Sequence, residues 1–185
     1  MRITGGIFKG REIKTLKLKS LRPATDMLRQ AVFNVIGEGA VAGKGVIDLF
    51  AGSGAYGIES LSRGAEFVVF VEQNPRCCEL IKKNVSAIGM ENHSKVVQMD
   101  VFNFFKKPAM LRSVSLLFAD PPYHKNILQK LTELIDRSKI LVDDGIMILE
   151  HSKREVSVAS AGRLQRFFYR EYGDSAISIY RNTGK

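Results

Sequence analysis

The stretch "DLFAGSGAYGIES" carries Gly52, Gly54 and Gly57 in G-x-G-x-x-G spacing, between an apolar run and a helix-forming segment. That spacing allows a tight turn and a close backbone approach to a nucleotide at a helix N-terminus. Glu72 stands twenty residues after Gly52, at the end of the next apolar run, where a carboxylate can grip ribose hydroxyls. These features alone fit a dinucleotide as well as a methyl-donor nucleotide. Two further acids separate the readings. Asp48, just before the loop, puts negative charge where a pyrophosphate must sit. This disfavours a nicotinamide dinucleotide and favours S-adenosyl-L-methionine, which has no phosphate and carries ammonium and sulfonium charges. Asp100 closes a third apolar run and can accept a hydrogen bond from an adenine amino group. Phe50, inside the same loop, is counted with this cofactor set.

A second group stands at the end of "SVSLLFADPPY", where four apolar residues from Leu116 to Ala119 lead into Asp120, Pro121, Pro122 and Tyr123. An unbroken apolar run reads as a strand covered on both faces. Residues just beyond such a strand lie at the carboxyl edge of the sheet, where open α/β folds hold their ligands. The prolines fix φ at about −65° and remove two N–H donors, so the backbone turns sharply with its carbonyls free to accept. A strand stop would explain the prolines, but not the charge and the ring beside them.

Positioning these residues requires an alternating α/β chain. From residue 45 onward the strands read as "GVIDLF", "FVVFVE", "KVVQMD", "VSLLFAD" and "GIMILE", separated by helical stretches. That alternation predicts a doubly wound, Rossmann-like α/β fold with a mostly parallel sheet. Asn74 and Pro75 are an N-cap and an N1 proline for the helix after the second strand, which stops at Gly89. The adjacent Cys77 and Cys78 are read as side chains of that helix. The closing "LQRFFYREYGDSAISIYRN" reads as two strands turning at Gly173 and Asp174, a C-terminal antiparallel hairpin that brings the count to seven strands. Residues 1 to 44 are expected to form an N-terminal extension packed on the sheet domain: a Gly-punctuated hairpin, a basic connector, and a helix capped by Thr25 or Asp26 with an apolar face of Leu28, Val32, Val35 and Ile36. The catalytic domain is expected over 45–185.

The chain has 185 residues, 28 Lys and Arg against 19 Asp and Glu, and a net charge of +9. That surplus suits a polyanionic partner. It is concentrated in residues 1 to 45, where nine basic side chains meet three acidic ones. Lys9, Arg11, Arg22 and Arg29 are the candidate RNA contacts. The N-terminus lacks the apolar segment of a signal peptide and no run reaches membrane-spanning length, so a cytoplasmic protein without membrane contact is expected. Three isolated histidines and one adjacent cysteine pair give no metal-ligand spacing, and no metal is expected.

These residues resemble the class I S-adenosylmethionine-dependent methyltransferases, with Asp120-Pro121-Pro122-Tyr123 similar to the fourth motif of the amino methyltransferases. With "RPATD" at 22 to 26, Phe33-Asn34, "FVEQN" and "REYGDSAISIYR", nearly the whole chain is similar to the bacterial ribosomal RNA small-subunit methyltransferase D family. The resemblance implies methyl transfer to the exocyclic 2-amino group of a guanine in 16S rRNA, in naked RNA or an assembling small subunit, by a monomer. It implies that the Asp120 side chain and Pro121 carbonyl accept from the amine while Tyr123 stacks on the base. A DNA adenine 6-amino methyltransferase and an inactive nucleic-acid-binding protein of the same fold are the alternatives; the former has little room for a DNA-recognition domain.

Overall fold

The computed structural model describes residues 1–15, 26–111, 113–122 and 127–184. Helix α1 (Asp26–Ile36) precedes an alternating run: β1 (Gly45–Leu49), α2 (Ala55–Ser62), β2 (Phe67–Glu72), α3 (Pro75–Ala87), β3 (Ser94–Gln98), α4 (Val101–Phe104), β4 (Val114–Ala119), α5 (Ile127–Ser138) and β5 (Leu141–Ser152). Three strands close the chain, β6 (Ser160–Ala161), β7 (Leu164–Tyr172) and β8 (Ser175–Asn182). They form one sheet in the order β3-β2-β1-β4-β5-β8-β7-β6. The first five strands are parallel, and β8, β7 and β6 join antiparallel.

The α/β class and the terminal hairpin are as expected, but the sheet has eight strands rather than seven. The additional strand is the two-residue β6, paired only with Gln165 and Leu164, too short to carry an alternation pattern. Strand order reverses at β1, where β2 and β4 flank it. This is the switch point at which a parallel sheet opens a crevice beyond its carboxyl ends.

The first residues do form a narrow hairpin, held by a single antiparallel bridge between Arg2 and Glu12. Its apolar side chains Ile3 and Ile13 join a cluster that also contains Phe33, Tyr56, Phe118, Ile148 and Ile177, so the extension shares the core of the sheet. On α1 the buried residues are Leu28, Arg29, Val32 and Phe33, while Val35 is 38% exposed. Leu28 and Val32 are thus buried as expected and Ile36 packs partly buried on the core, whereas Val35 turns outward and Arg29 and Phe33 complete the inward face.

The cause is electrostatic. Glu59 on α2 is fully buried and accepts from the Thr4 backbone N–H (2.8 Å), the Thr4 hydroxyl (2.8 Å), Arg29 Nε (3.1 Å) and Arg63 Nε (2.9 Å). Arg29 also donates to the Asp26 carboxylate and to the Arg2 carbonyl. Its guanidinium is thus drawn inward by a buried opposite charge. The expectation that Arg29 meets RNA phosphates is corrected: it is 0% exposed. Thr25, the alternative cap of α1, lies outside the described residues.

Removing one partner of a buried, hydrogen-bonded ion pair strands the other, at a typical cost of about 3–5 kcal/mol. Arg29→Ala should lower folding stability by about that amount in urea denaturation. A loss below about 1 kcal/mol would show that Arg63 and Thr4 alone satisfy Glu59.

Candidate active site

Residues in register on neighbouring strands share a face. Asp48 on β1 is level with Phe118 on β4, and Phe118 is level with Ile148 on β5. Two residues further on, beyond Ala119 and its partner Leu149, Asp120 and Glu150 emerge side by side on that same face. Tyr56, from the first turn of α2, stacks on Phe118 with ring centroids 4.8 Å apart and donates its hydroxyl to Glu150 Oε2 at 3.0 Å. Phe33 of α1 closes the aromatic layer, 5.5 Å from Phe118.

The glycine loop is built around the N-terminus of α2. Gly52 and Gly54 take positive φ values of 55° and 79°, and Phe50 is held at 54°, a conformation that an aromatic residue rarely adopts. Gly54 caps α2 without a side chain, leaving the first-turn donors short of partners. Asp48 supplies one from the strand below, its Oδ2 accepting from the Gly57 N–H at 2.9 Å. A methyl group at Gly57 would lie 2.2 Å from the Phe70 ring, so this glycine serves helix–strand packing.

Glu72 holds the loop from the other side, accepting from Gly52 N–H at 2.8 Å and Asn74 N–H at 2.7 Å. A carboxylate has about four acceptor positions, so two remain open to a ligand. Asp100 caps α4 by accepting from the Asn103 N–H at 3.0 Å and is only partly buried, leaving its second oxygen free to accept. This set of acceptors thus suits a ligand that presents hydroxyls, an amino group and positive charge.

Burial governs the protonation of these acids. Desolvation pushes the Asp48 carboxyl up to about 8, with the Gly57 hydrogen bond opposing and nearby Glu72 adding to the rise. Asp120 is raised by desolvation, then by Glu150 and Asp48. Glu150 is raised by desolvation, against the hydrogen bond from Tyr56. These carboxylates hold less negative charge than their number implies until a cation enters.

The structure brings Asp48, Gly52, Gly54, Glu72 and Asp120 to one sheet edge, with Pro121 buried and Pro122 exposed behind them. Tyr123 and Arg22 lie outside the described residues. Lys9 and Arg11 are exposed but stand elsewhere. Ile7 N–H donates to the Ser62 carbonyl at 2.8 Å and Arg11 Nη1 to the Ala87 carbonyl at 3.4 Å. Ser62 and Ala87 are the last residues of α2 and α3, so both cations sit by the opposite edge, about 20 Å away along the thirteen-residue α3. Glu150 and Tyr56 are absent from the sequence-derived set. A signal exists for Glu150, which ends "GIMILE" as Asp120 ends "VSLLFAD".

Residues 1–181 match the profile of a family described as conserved hypothetical protein 95. YlbH of Bacillus subtilis, named as a candidate rRNA methyltransferase, is 34% identical over 185 residues, covering 100% of both chains. Ribosomal RNA small subunit methyltransferase D of Escherichia coli K12 is 29% identical over 150 residues, covering 81% of this chain and 74% of its own. Among solved structures, a candidate methyltransferase of Escherichia coli, yhhF, superposes with a TM-score of 0.85 at 25% identity, covering 98% of this chain and 97% of that one.

A carboxyl whose folded pKa is raised favours folding below its ordinary value and loses that advantage as pH rises through the folded value. For Asp48 the window runs from its ordinary 3.8 to about 8. Asp48→Asn should therefore match the parent's stability near pH 4 and exceed it increasingly toward pH 8, by a few kcal/mol, since each tenfold change in proton affinity is worth about 1.4 kcal/mol. Chemical denaturation of both proteins across this range tests it. A gap that does not change with pH would mean that Asp48 is ionised throughout.

Proposed function

Because the chain belongs to the family described as conserved hypothetical protein 95, we propose that it is an S-adenosyl-L-methionine-dependent methyltransferase acting on the exocyclic 2-amino group of a guanine in 16S rRNA. The observation that carries this reading is the placement of Asp120, directly followed by Pro121 and Pro122, at the end of β4, beside β1 and on the same face as Asp48 and Glu150. Relatives named as rRNA methyltransferases support the substrate class.

When bound, S-adenosylmethionine supplies a methyl group already activated by its sulfonium. Glu72 and Asp100 hold the nucleoside through their remaining acceptor positions, and Gly52 and Gly54 let the backbone pass close to it. Asp48, masked by burial, provides the negative charge that matches a cationic reagent.

A guanine 2-amino nitrogen is a poor nucleophile because its lone pair is delocalised into the ring. The Asp120 carboxylate and the Pro121 carbonyl each accept one of its N–H bonds, which favours the geometry in which the lone pair localises on nitrogen. Neither proline has an N–H to compete for these acceptors, and the turn holds them in place before the substrate arrives. Tyr123 stacks on the base. As the nitrogen becomes cationic, one N–H bond breaks, its electron pair stays on nitrogen, and the proton passes to the Asp120 carboxylate. Burial, and after it the nearby Glu150 anchored by Tyr56, raises the affinity of Asp120 for that proton.

Asp120→Ala should abolish transfer while S-adenosylmethionine binding, followed by calorimetry, stays close to the parent's. Glu72→Ala should weaken that binding. Nucleosides from a strain lacking this protein should contain less 2-methylguanosine in 16S rRNA than the parent strain, by mass spectrometry. Full activity in Asp120→Ala would refute the mechanism, and unchanged 2-methylguanosine would refute the substrate.

A further inference from the structure

One row of the sheet links the proposed centre to its far margin. Glu150 on β5 is level with Ile177 on β8, and Ile177 with Arg170 on β7. Arg170 therefore lies on the same face as Glu150 and Asp120, about 10 Å from Glu150 at two strand spacings. Two residues along, Tyr172 shares that face, and the Arg170 guanidinium lies 5.4 Å from the centre of its ring. β8 and β7 hold a second such pair. Arg181 continues the Ile177–Ile179 side of β8 and stands 5.2 Å from the centre of the Phe167 ring. Phe167 occupies the register shift between Arg166 and Phe168 and is 48% exposed.

We propose that Arg170, Tyr172, Arg181 and Phe167 form a binding strip for the single-stranded RNA that flanks the target nucleotide. The strip deepens the RNA reading above and rests on it. Charge favours this occupant: Arg170 and Tyr172 stand level with the proposed catalytic edge, and Arg181 with Phe167 extends the strip on the same face, about 13 Å back along the strands. The intervening Glu171 alternates to the other face, where it accepts from the Tyr169 hydroxyl at 3.1 Å. Planar guanidinium groups laid over rings give paired phosphate donors and flat stacking surfaces, the combination that holds unpaired nucleotides without reading their sequence. Protection of a sheet margin against pairing with other chains would need charge alone. Arg170 also supplies what Lys9 and Arg11 do not, a cation level with the Asp120 edge.

The test is a double reversal, Arg170→Glu with Arg181→Glu, both exposed and neither in the proposed catalytic machinery. Lys44→Glu with Lys95→Glu, both exposed, one just before β1 and the other on β3 at the opposite end of the sheet, makes the same change in net charge and is the control. With a 16S rRNA fragment as substrate, the strip variant should raise KM at least tenfold with kcat within twofold of the parent. It should flatten the dependence of RNA affinity on salt by about 0.7 in logarithmic slope for each phosphate no longer neutralised. S-adenosylmethionine binding and thermal stability should match the parent. Direct RNA binding separates the two readings: fragment bound by the parent and released by the reversal supports the strip even if no methyl is transferred. A strip variant whose RNA affinity, KM and salt slope equal those of the Lys44→Glu, Lys95→Glu control overturns it.

Discussion

The buried carboxylate of Glu59 constrains nearly everything around it. An ion withdrawn from water must be matched by opposite charge and by donors for its remaining lone pairs. Glu59 obtains these from Arg29, Arg63 and two groups of Thr4, drawn from three separate parts of the chain. Satisfying it fixes the hairpin, α1 and α2 relative to one another. Because α2 is fixed, its first turn presents Tyr56 to Glu150 and Gly57 to Asp48. A charge that touches no substrate thus sets the position of the groups proposed to do so.

The carboxyl edge obeys the opposite logic. Asp48, Asp120 and Glu150 are crowded into a poorly solvated space with no Lys or Arg paired to them among the described residues. Every one of them is harder to ionise there than in water. Such an arrangement lowers the stability of the folded protein at neutral pH and is useful only if something positive arrives. The Glu59 network and the edge acids illustrate two uses of burial, one completing a charge within the fold and one leaving it for a ligand.

Much of this is legible in the sequence because it depends on local spacing. The glycine loop, the strand-terminal acids and the proline turn each occupy a few consecutive residues, and parallel α/β alternation brings successive strand ends to one edge. Arg29 is misleading because its spacing on α1 is compatible with either face, and the partner that decides between them is thirty residues away. Glu150 ends a strand like the other acids, yet its place beside Asp120 depends on the β4–β5 register, which no local pattern encodes. The direction of the hairpin is equally invisible: nothing local says that Lys9 and Arg11 run along α2 and α3 toward the far edge.

The position of β8 bears on how the chain acquires its fold. It is made after every other strand, yet it inserts between β5 and β7, and its Ile177 and Ile179 enter the same cluster as Ile3 and Ile13. During synthesis the hairpin is made before β8 and cannot bury its apolar side chains against these partners until β8 has appeared. The β5 margin stays unpaired over the same interval, an open ladder of the kind that invites association between chains. Closure of the sheet is therefore a late event that couples the residue 1–15 hairpin to β8.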